Sequence, residues 1–125
     1  MRLKHLLIVD DSEADQFLCR MLLEDMDPTL EIQQAYNGIE ALDLLAATKQ
    51  MPQLILLDIN MPLMNGFEFL DALDSQYPDS TVVVSMLSSS ANEEDRQMAA
   101  RHARVKKYLQ KPISDVSLDE LNSLV

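Results

Sequence analysis

Five polar side chains in this sequence of 125 residues each follow a short apolar run. Asp10 and Asp11 follow the first run, Asp58 the third, Ser88 the fourth and Lys111 the fifth. If the runs are parallel strands, their carboxyl ends lie at one edge of a sheet, where these side chains would converge. Crowded carboxylates resist ionisation unless a positive charge lies among them. Mg²⁺ takes oxygen ligands and suits one or two carboxylates plus a phosphate, so it is the predicted cation.

The combined charge of such a site favours phosphoryl transfer. Three carboxylates, one Mg²⁺ ion and one lysine sum to zero, so a phosphoryl group could enter at a modest electrostatic penalty. The reaction needs little beyond positioning, a nucleophile and neutralisation of the phosphoryl oxygens. Asp58 is the candidate nucleophile. Lys111 and Mg²⁺ would bind the phosphoryl oxygens, and the Ser88 hydroxyl could donate a further hydrogen bond.

Apolar runs and amphipathic stretches alternate five times along the chain. Runs one, three and four are nearly unbroken Leu, Ile and Val, which indicates strands buried on both faces of a parallel sheet. Runs two and five are more mixed and predict edge strands. Strands that alternate with helices predict an open, doubly wound α/β fold. The five runs are residues 3–9, 30–36, 54–57, 81–87 and 105–109.

Helical patterns occupy the intervals between the runs. Ser12 is a good N-cap for the first helix, whose apolar stripe follows the i, i+3, i+4 rule. Ser117 with Glu120 three residues later predicts a capping box for the fifth helix. The fourth helix, residues 92–103, is the most polar, and Ser90 or Asn92 could cap it. The stripe of the first helix is Ala14, Phe17, Leu18, Met21 and Leu22, and the second and third helices follow Gly38 and Gly66.

Four segments of the sequence carry a specific family resemblance. They are residues 7–12, 57–66, 84–88 and 108–112, which read LIVDDS, LDINMPLMNG, VSMLS and YLQKP. In this order, with Ser88 lying 30 residues and Lys111 lying 53 residues after Asp58, they resemble the receiver domain of bacterial two-component response regulators, including chemotaxis regulators. The resemblance implies one receiver domain over residues 1–125. It also implies a flavodoxin-like (βα)5 fold whose five parallel strands have the order 2-1-3-4-5.

The resemblance implies roles for the acidic residues. Asp58 matches the phosphoacceptor of the family. Asp11 matches a direct Mg²⁺ ligand, and Asp10 acts mainly through a coordinated water. Asp58 and the backbone carbonyl of Asn60 complete the implied protein ligands of the Mg²⁺ cofactor.

The resemblance also implies a switch. A histidine kinase or histidine phosphotransfer protein would donate the phosphoryl group to Asp58, and Lys111 would contact it. Ser88 would then move toward the phosphoryl group, and Tyr108 would turn into the space. This changes the face formed by the fourth helix, fifth strand and fifth helix, where a downstream protein target or output domain would dock. The peptide bond to Pro112 is expected to be cis.

Other interpretations are open at this stage. A phosphatase that forms an aspartyl phosphate would carry a second Asp two residues after its nucleophile, but here that residue is Asn60, which cannot shuttle a proton. The chain is therefore expected to be a phosphoacceptor and not an enzyme, assisting only its own phosphorylation and slow dephosphorylation. A third hypothesis is a receiver-like scaffold that binds partners without being phosphorylated. Asp10 and Asp11 could also form a solvated turn, and Ser88 with Ser89 could belong to a helix cap.

Composition restricts the partners and the compartment. Ten Lys and Arg against 21 Asp and Glu give a net charge of −11, which disfavours direct binding to nucleic acid or to anionic membranes. A lone cysteine, Cys19, fits a reducing cytoplasm. No apolar run approaches the roughly 20 residues that span a bilayer. We therefore expect a cytoplasmic protein.

Two features concern the end of the chain. Receivers commonly have a Gly at the end of the fourth helix, but residues 101–104 contain none, so this helix end lacks the residue best suited to a left-handed cap. Only 14 residues follow Lys111, enough for one helix and no output module. Both a stand-alone receiver and a receiver excised from a longer chain fit this length.

Overall fold

A computed structural model of the chain describes residues 2–89 and 92–125. Five strands form one parallel sheet of order β2-β1-β3-β4-β5, which confirms the predicted doubly wound flavodoxin-like fold and its two edge strands. The strands are β1 His5–Val9, β2 Glu31–Ala35, β3 Leu54–Asp58, β4 Val83–Ser88 and β5 Val105–Gln110. The helices are α1 Glu13–Met26, α2 Gly38–Ala47, α3 Gly66–Gln76, α4 Glu93–Ala100 and α5 Leu118–Asn122, with a 3₁₀ turn at Ile113–Asp115.

The central strands owe their position to their continuous apolar sequences. All five residues of β1 and of β3 are buried. Alternate residues point to opposite faces of the sheet, so Leu7 and Val9 join one core while Leu6 and Ile8 join the other. The sheet therefore lies between two apolar layers, one with α2, α3 and α4, the other with α1 and α5.

Helix caps follow the sequence signals in part. Ser12 accepts a hydrogen bond from the backbone N–H of Asp15 at 3.2 Å, as predicted. Asn92 caps α4, and Ser90, the other predicted cap, lies outside the described residues. Ser117 accepts from the N–H of Glu120, but the Glu120 carboxylate contacts Lys107 at 2.8 Å, so only half of the predicted capping box forms. A full capping box occurs instead in α3, between Asn65 and Glu68.

The first helix turns most of its predicted apolar stripe away from the core. Phe17 is 70% exposed and Met21 is 42% exposed, whereas the helix buries Gln16, Cys19 and Leu23. Leu22, the last residue of the stripe, is half-buried and packs against the core. The periodicity thus predicted the helix correctly, although most of the stripe lies on its exposed side.

A side-chain anchor replaces the missing glycine after α4. Arg101 keeps a right-handed conformation, with φ −77° and ψ −15°. Three residues later the Arg104 guanidinium contacts the Asp74 carboxylate at 2.6 Å and donates to the backbone carbonyls of Tyr77, Ser80 and Val82. Arg104 thereby ties the α4–β5 loop to the α3–β4 loop. In the described part of the chain, no helix has both the length and the apolar character needed to cross a membrane.

Candidate functional site

Three carboxylates meet at the carboxyl edge of the sheet. Asp10 and Asp11 follow β1, and Asp58 is the last residue of β3, because pairing with Leu87 extends that strand one residue beyond its apolar run. One oxygen from each carboxylate lies within 4.8 Å of the others. Asp10 and Asp58 are buried and Asp11 is exposed. The structure therefore brings together the three acidic residues that the sequence singled out.

The backbone around Asp10 is held by a residue that the sequence analysis missed. The buried side-chain amide of Gln16 donates to the carbonyls of Ile8, Asp10 and Ala35 at 3.2, 3.1 and 2.8 Å. The N–H of Asp10 in turn donates to the Ala35 carbonyl at 3.0 Å. Gln16 therefore joins the ends of β1 and β2 beneath the acidic cluster. An uncharged polar residue three positions before Cys19, on the same helical side, was the available signal.

The Lys111 ammonium is surrounded by three carboxylates. Its Nζ lies 2.6 Å from Oδ2 of Asp10, 3.0 Å from Oδ2 of Asp15 and 3.6 Å from Oδ1 of Asp58. Burial acts to lower the pKa of this ammonium, but hydrogen bonds to Asp10 and Asp15 and the charge of Asp58 outweigh burial and raise the pKa above its usual range. Lys111 is therefore a permanent positive charge in the site.

The backbone of β5 and the following loop direct Lys111 inward. Its N–H donates to the carbonyl of Ser88 at 2.8 Å, across the ends of β4 and β5. The bond from Lys111 to Pro112 is cis. The Lys111 side chain projects over the edge of the sheet toward Asp10 and Asp58, with 14% of it exposed.

The Asp58 carboxyl has an unusual affinity for protons. Burial raises its pKa from 3.8 to about 7, and the charges of Asp10 and Asp11 act in the same direction. Lys111 and a hydrogen bond from the Ile59 N–H, at 2.9 Å from Oδ1, oppose that rise. Crowding of like charges at a partly buried site is the condition that a bound cation relieves.

The donor set fits Mg²⁺. All three side chains supply hard carboxylate oxygens, the ligands that this ion prefers. Oδ1 of Asp10 accepts from the Ser12 N–H at 2.9 Å and Oδ2 contacts Lys111, whereas Asp11 is exposed. Asp11 is therefore the more accessible of the two, and the direct role of Asp11 and the water-mediated role of Asp10 stay predictions. Asn60 lies exposed in the β3–α3 loop, and its carbonyl ligand role stays a prediction.

A glycine allows α3 to begin directly beside the end of β3, which carries Asp58. A Cβ atom on Gly66 would lie 2.5 Å from the backbone oxygen of Asp58, and the Gly66 N–H donates to the Ile59 carbonyl at 2.8 Å. Any larger residue would displace the backbone of Asp58. The intervening loop also holds Leu63 at φ 69°, a left-handed conformation that costs a residue with a Cβ atom.

The two predicted switch residues lie on neighbouring strands. Ser88 is buried at the end of β4, opposite Gln110. Tyr108 lies opposite Met86 and packs against the core that contains α4. Its hydroxyl is buried without a hydrogen-bond partner among the described residues, and the Arg96 guanidinium carbon lies 4.6 Å from the ring centroid. The switch roles of Ser88 and Tyr108 stay predictions.

Sequence comparisons give a family match and longer relatives. Residues 6–122 match the sequence model of the response regulator receiver domain. The chain is 35% identical to an uncharacterized 14.6 kDa protein of Leptolyngbya boryana, over 93% of this chain and 85% of that protein. It is also 35% identical to a protein-glutamate methylesterase/protein-glutamine glutaminase of Geobacillus kaustophilus, over 95% of this chain. The chain spans only 33% of the length of that second relative.

A solved structure shares the fold over almost the full length. A two-component response regulator from Cytophaga hutchinsonii superposes with a TM-score of 0.85 at 29% identity. The match covers 99% of this chain and 95% of the other.

Proposed function

The chain belongs to the response regulator receiver family, and from this premise we propose that it is a phosphoacceptor signalling switch of a two-component phosphorelay. Residues 1–125 form one receiver domain in this proposal. The arrangement of Asp10, Asp11, Asp58 and Lys111 at one edge of the sheet carries the proposal. It combines a nucleophilic carboxylate, a cation site and a fixed ammonium, which are the parts that phosphoryl transfer requires.

The proposed reaction is transfer from a phosphohistidine to Asp58. An Asp58 carboxylate oxygen attacks phosphorus, the P–O bond forms, and the P–N bond to the donor imidazole breaks. The imidazole leaves with the electron pair of that bond and takes a proton from solvent. Lys111 supplies positive charge to the phosphoryl oxygens, since its ammonium already lies 3.6 Å from Oδ1 of Asp58.

Mg²⁺ is the proposed cofactor. Asp11, Asp58 and the Asn60 carbonyl would hold the ion, with Asp10 acting through a water. When bound, it would neutralise charge on the carboxylates and on the phosphoryl oxygens. Because the pKa of Asp58 is about 7 in the absence of metal, this added charge would also keep the nucleophile deprotonated at neutral pH.

The proposed output is a change in the α4–β5–α5 face. Ser88 at the end of β4 would bond to the phosphoryl group, and Tyr108 on β5 would adjust its packing against α4. The contact between Arg96 of α4 and the Tyr108 ring supports this coupling, because movement of the ring would change or break that contact. A downstream protein target or output domain would read the altered face.

Partners and location follow from the same proposal. A histidine kinase or histidine phosphotransfer protein would be the donor, in the cytoplasm. The net charge of −11 argues against direct contact with nucleic acid or an anionic membrane. Asn60, where a phosphatase of this chemistry would carry its general acid, supports a persistent signal over rapid turnover.

Phosphorylation by a small donor tests the proposal. The protein is incubated with phosphoramidate and MgCl2, and its intact mass is measured. We expect the mass increment of one phosphoryl group on the wild type, none on Asp58→Asn, and none on the wild type in EDTA. Asp25→Asn, which changes an exposed carboxylate on α1, is the matched control and should be labelled like the wild type. Equal labelling of Asp58→Asn would refute Asp58 as the acceptor.

A further inference from the structure

Asp15 contacts the Lys111 ammonium from outside the cluster of Asp10, Asp11 and Asp58. It lies in the first turn of α1, and its Oδ2 accepts a hydrogen bond from Lys111 Nζ at 3.0 Å. Asp15 has no role in the phosphoryl-transfer site expected from the sequence, whose three carboxylates are those of Asp10, Asp11 and Asp58. The side chain is 42% exposed, whereas that of Asp10, the other close partner of Lys111, is 2% exposed.

We propose that Asp15 is a positioning residue that restrains the Lys111 ammonium in the unphosphorylated protein and so opposes phosphoryl binding at Asp58. The inference rests on the proposed function, because it concerns the same phosphorylation site. It adds a residue that sets the balance between the unphosphorylated and phosphorylated states.

The distances around Lys111 support a restraint. The ammonium lies within hydrogen-bonding range of Asp10 and Asp15 but 3.6 Å from Asp58, beyond that range. A phosphoryl oxygen on Asp58 would compete with the Asp15 carboxylate for hydrogen bonds from this ammonium. The Asp15 carboxylate is placed for that competition by the first turn of α1, where the Asp15 N–H donates to the capping Ser12.

The exposure of the two anchors indicates which one is released. Asp10 is buried and also accepts from the Ser12 N–H, so losing the ammonium would leave a buried charge short of a partner. Asp15 is part-exposed, and water can replace its contact with Lys111 at small cost. When a phosphoryl group binds at Asp58, the ammonium should therefore lose its contact with Asp15 and keep its contact with Asp10.

The charge of Asp15 acts in the same direction. With Asp15 included, four carboxylates face one ammonium, and a bound Mg²⁺ leaves one net negative charge before the phosphoryl group enters. Removing the charge of Asp15 should therefore favour the anionic phosphoryl group and disfavour the cation. A change that only loosened the site would weaken both ligands.

Binding of beryllofluoride, a mimic of the phosphoryl group, provides the test. Its affinity is measured at saturating Mg²⁺ by calorimetry, and the Mg²⁺ affinity is measured alone. For Asp15→Asn we expect beryllofluoride to bind roughly two- to fivefold more tightly, the range for a part-exposed ion pair, while Mg²⁺ binds more weakly. Asp15→Glu retains the charge and should behave like the wild type.

A second carboxylate in the same helical turn controls for general charge. Glu13→Gln removes one exposed negative charge from the first turn of α1 and should change the beryllofluoride affinity by less than Asp15→Asn does. Unchanged or weaker beryllofluoride binding by Asp15→Asn would overturn the inference, as would an equal effect of Glu13→Gln. Absence of beryllofluoride binding by the wild type would instead count against the proposed function.

Discussion

Substitution of Asp58 by Asn should stabilise the metal-free protein at neutral pH. Asp58 is buried beside Asp10 and Asp11, and its pKa rises from 3.8 to about 7 on folding. The folded protein thus holds the Asp58 proton more tightly than the unfolded chain does. Stability is therefore lost as pH rises from about 4 to about 7, and the loss stays constant above that. Asp58→Asn has no ionisable group at this position, so its stability does not show this decrease.

The size of the effect follows from the shift. Converting the whole pKa shift of Asp58 into free energy gives an upper limit of about 4 kcal/mol. Relaxation of the buried site around the ionised carboxylate reduces this to about 2 kcal/mol. With a urea slope of about 1–3 kcal/mol per molar for a small domain, the midpoint should rise by about 1 M urea. Asn keeps the shape of the side chain, so packing contributes little to the difference.

Urea unfolding at several pH values in EDTA measures this difference. We expect Asp58→Asn to exceed the wild type at pH 8 and to approach it at pH 4, with Asp25→Asn following the wild type throughout. Mg²⁺ should stabilise the wild type more than Asp58→Asn, because the ion binds the folded state. Equal stability of wild type and Asp58→Asn at pH 8, or a difference that does not vary with pH, would refute the reasoning.

Three further substitutions test individual contacts and backbone conformations of the fold by urea unfolding. Gln16→Leu should lower the free energy of unfolding by about 1–3 kcal/mol, because three buried carbonyls lose the side-chain amide that donates to them. An unchanged free energy of unfolding would show that these hydrogen bonds make no net contribution to stability. Leu63→Asn should raise the free energy of unfolding by about 1 kcal/mol, since Asn tolerates the left-handed φ of 69° better and Leu63 is 79% exposed. A lower free energy of unfolding would show that the leucine makes a stabilising contact. Asp27 has its pKa lowered to about 2 by hydrogen bonds from Thr29 and Arg2, so Asp27→Asn should be less stable than the wild type at neutral pH. That deficit should shrink as pH falls from about 4 to about 2, and a deficit that stays constant over this range would contradict the linkage.

Convergence of the site residues could be predicted from the sequence because it needs only the order of the elements. Unbroken apolar runs require strands covered on both faces, and parallel strands end at one edge. Residues that follow the ends of those runs, such as Asp58 and Lys111, therefore lie close together, and this result does not depend on how the helices pack. The strand order itself came from resemblance to a family, not from the apolar pattern.

The supports of the site could not be predicted in this way. The apolar stripe of α1 suggested that Phe17 faces the core, but the structure exposes Phe17 and buries Gln16. Because α1 carries apolar residues on two sides, the periodicity of its sequence does not indicate which side faces the sheet. Arg104 likewise replaces a missing glycine through contacts with residues more than 20 positions away.

The sequence by itself determined the fold class and the chemical types gathered at the sheet edge, since short-range pattern and strand direction suffice for both. Only the tertiary structure decided which side of α1 faces the sheet, and with it the contact of Asp15 with Lys111, 96 positions away. Such contacts depend on the rotation of a helix about its axis. Packing between elements far apart in the chain sets that rotation.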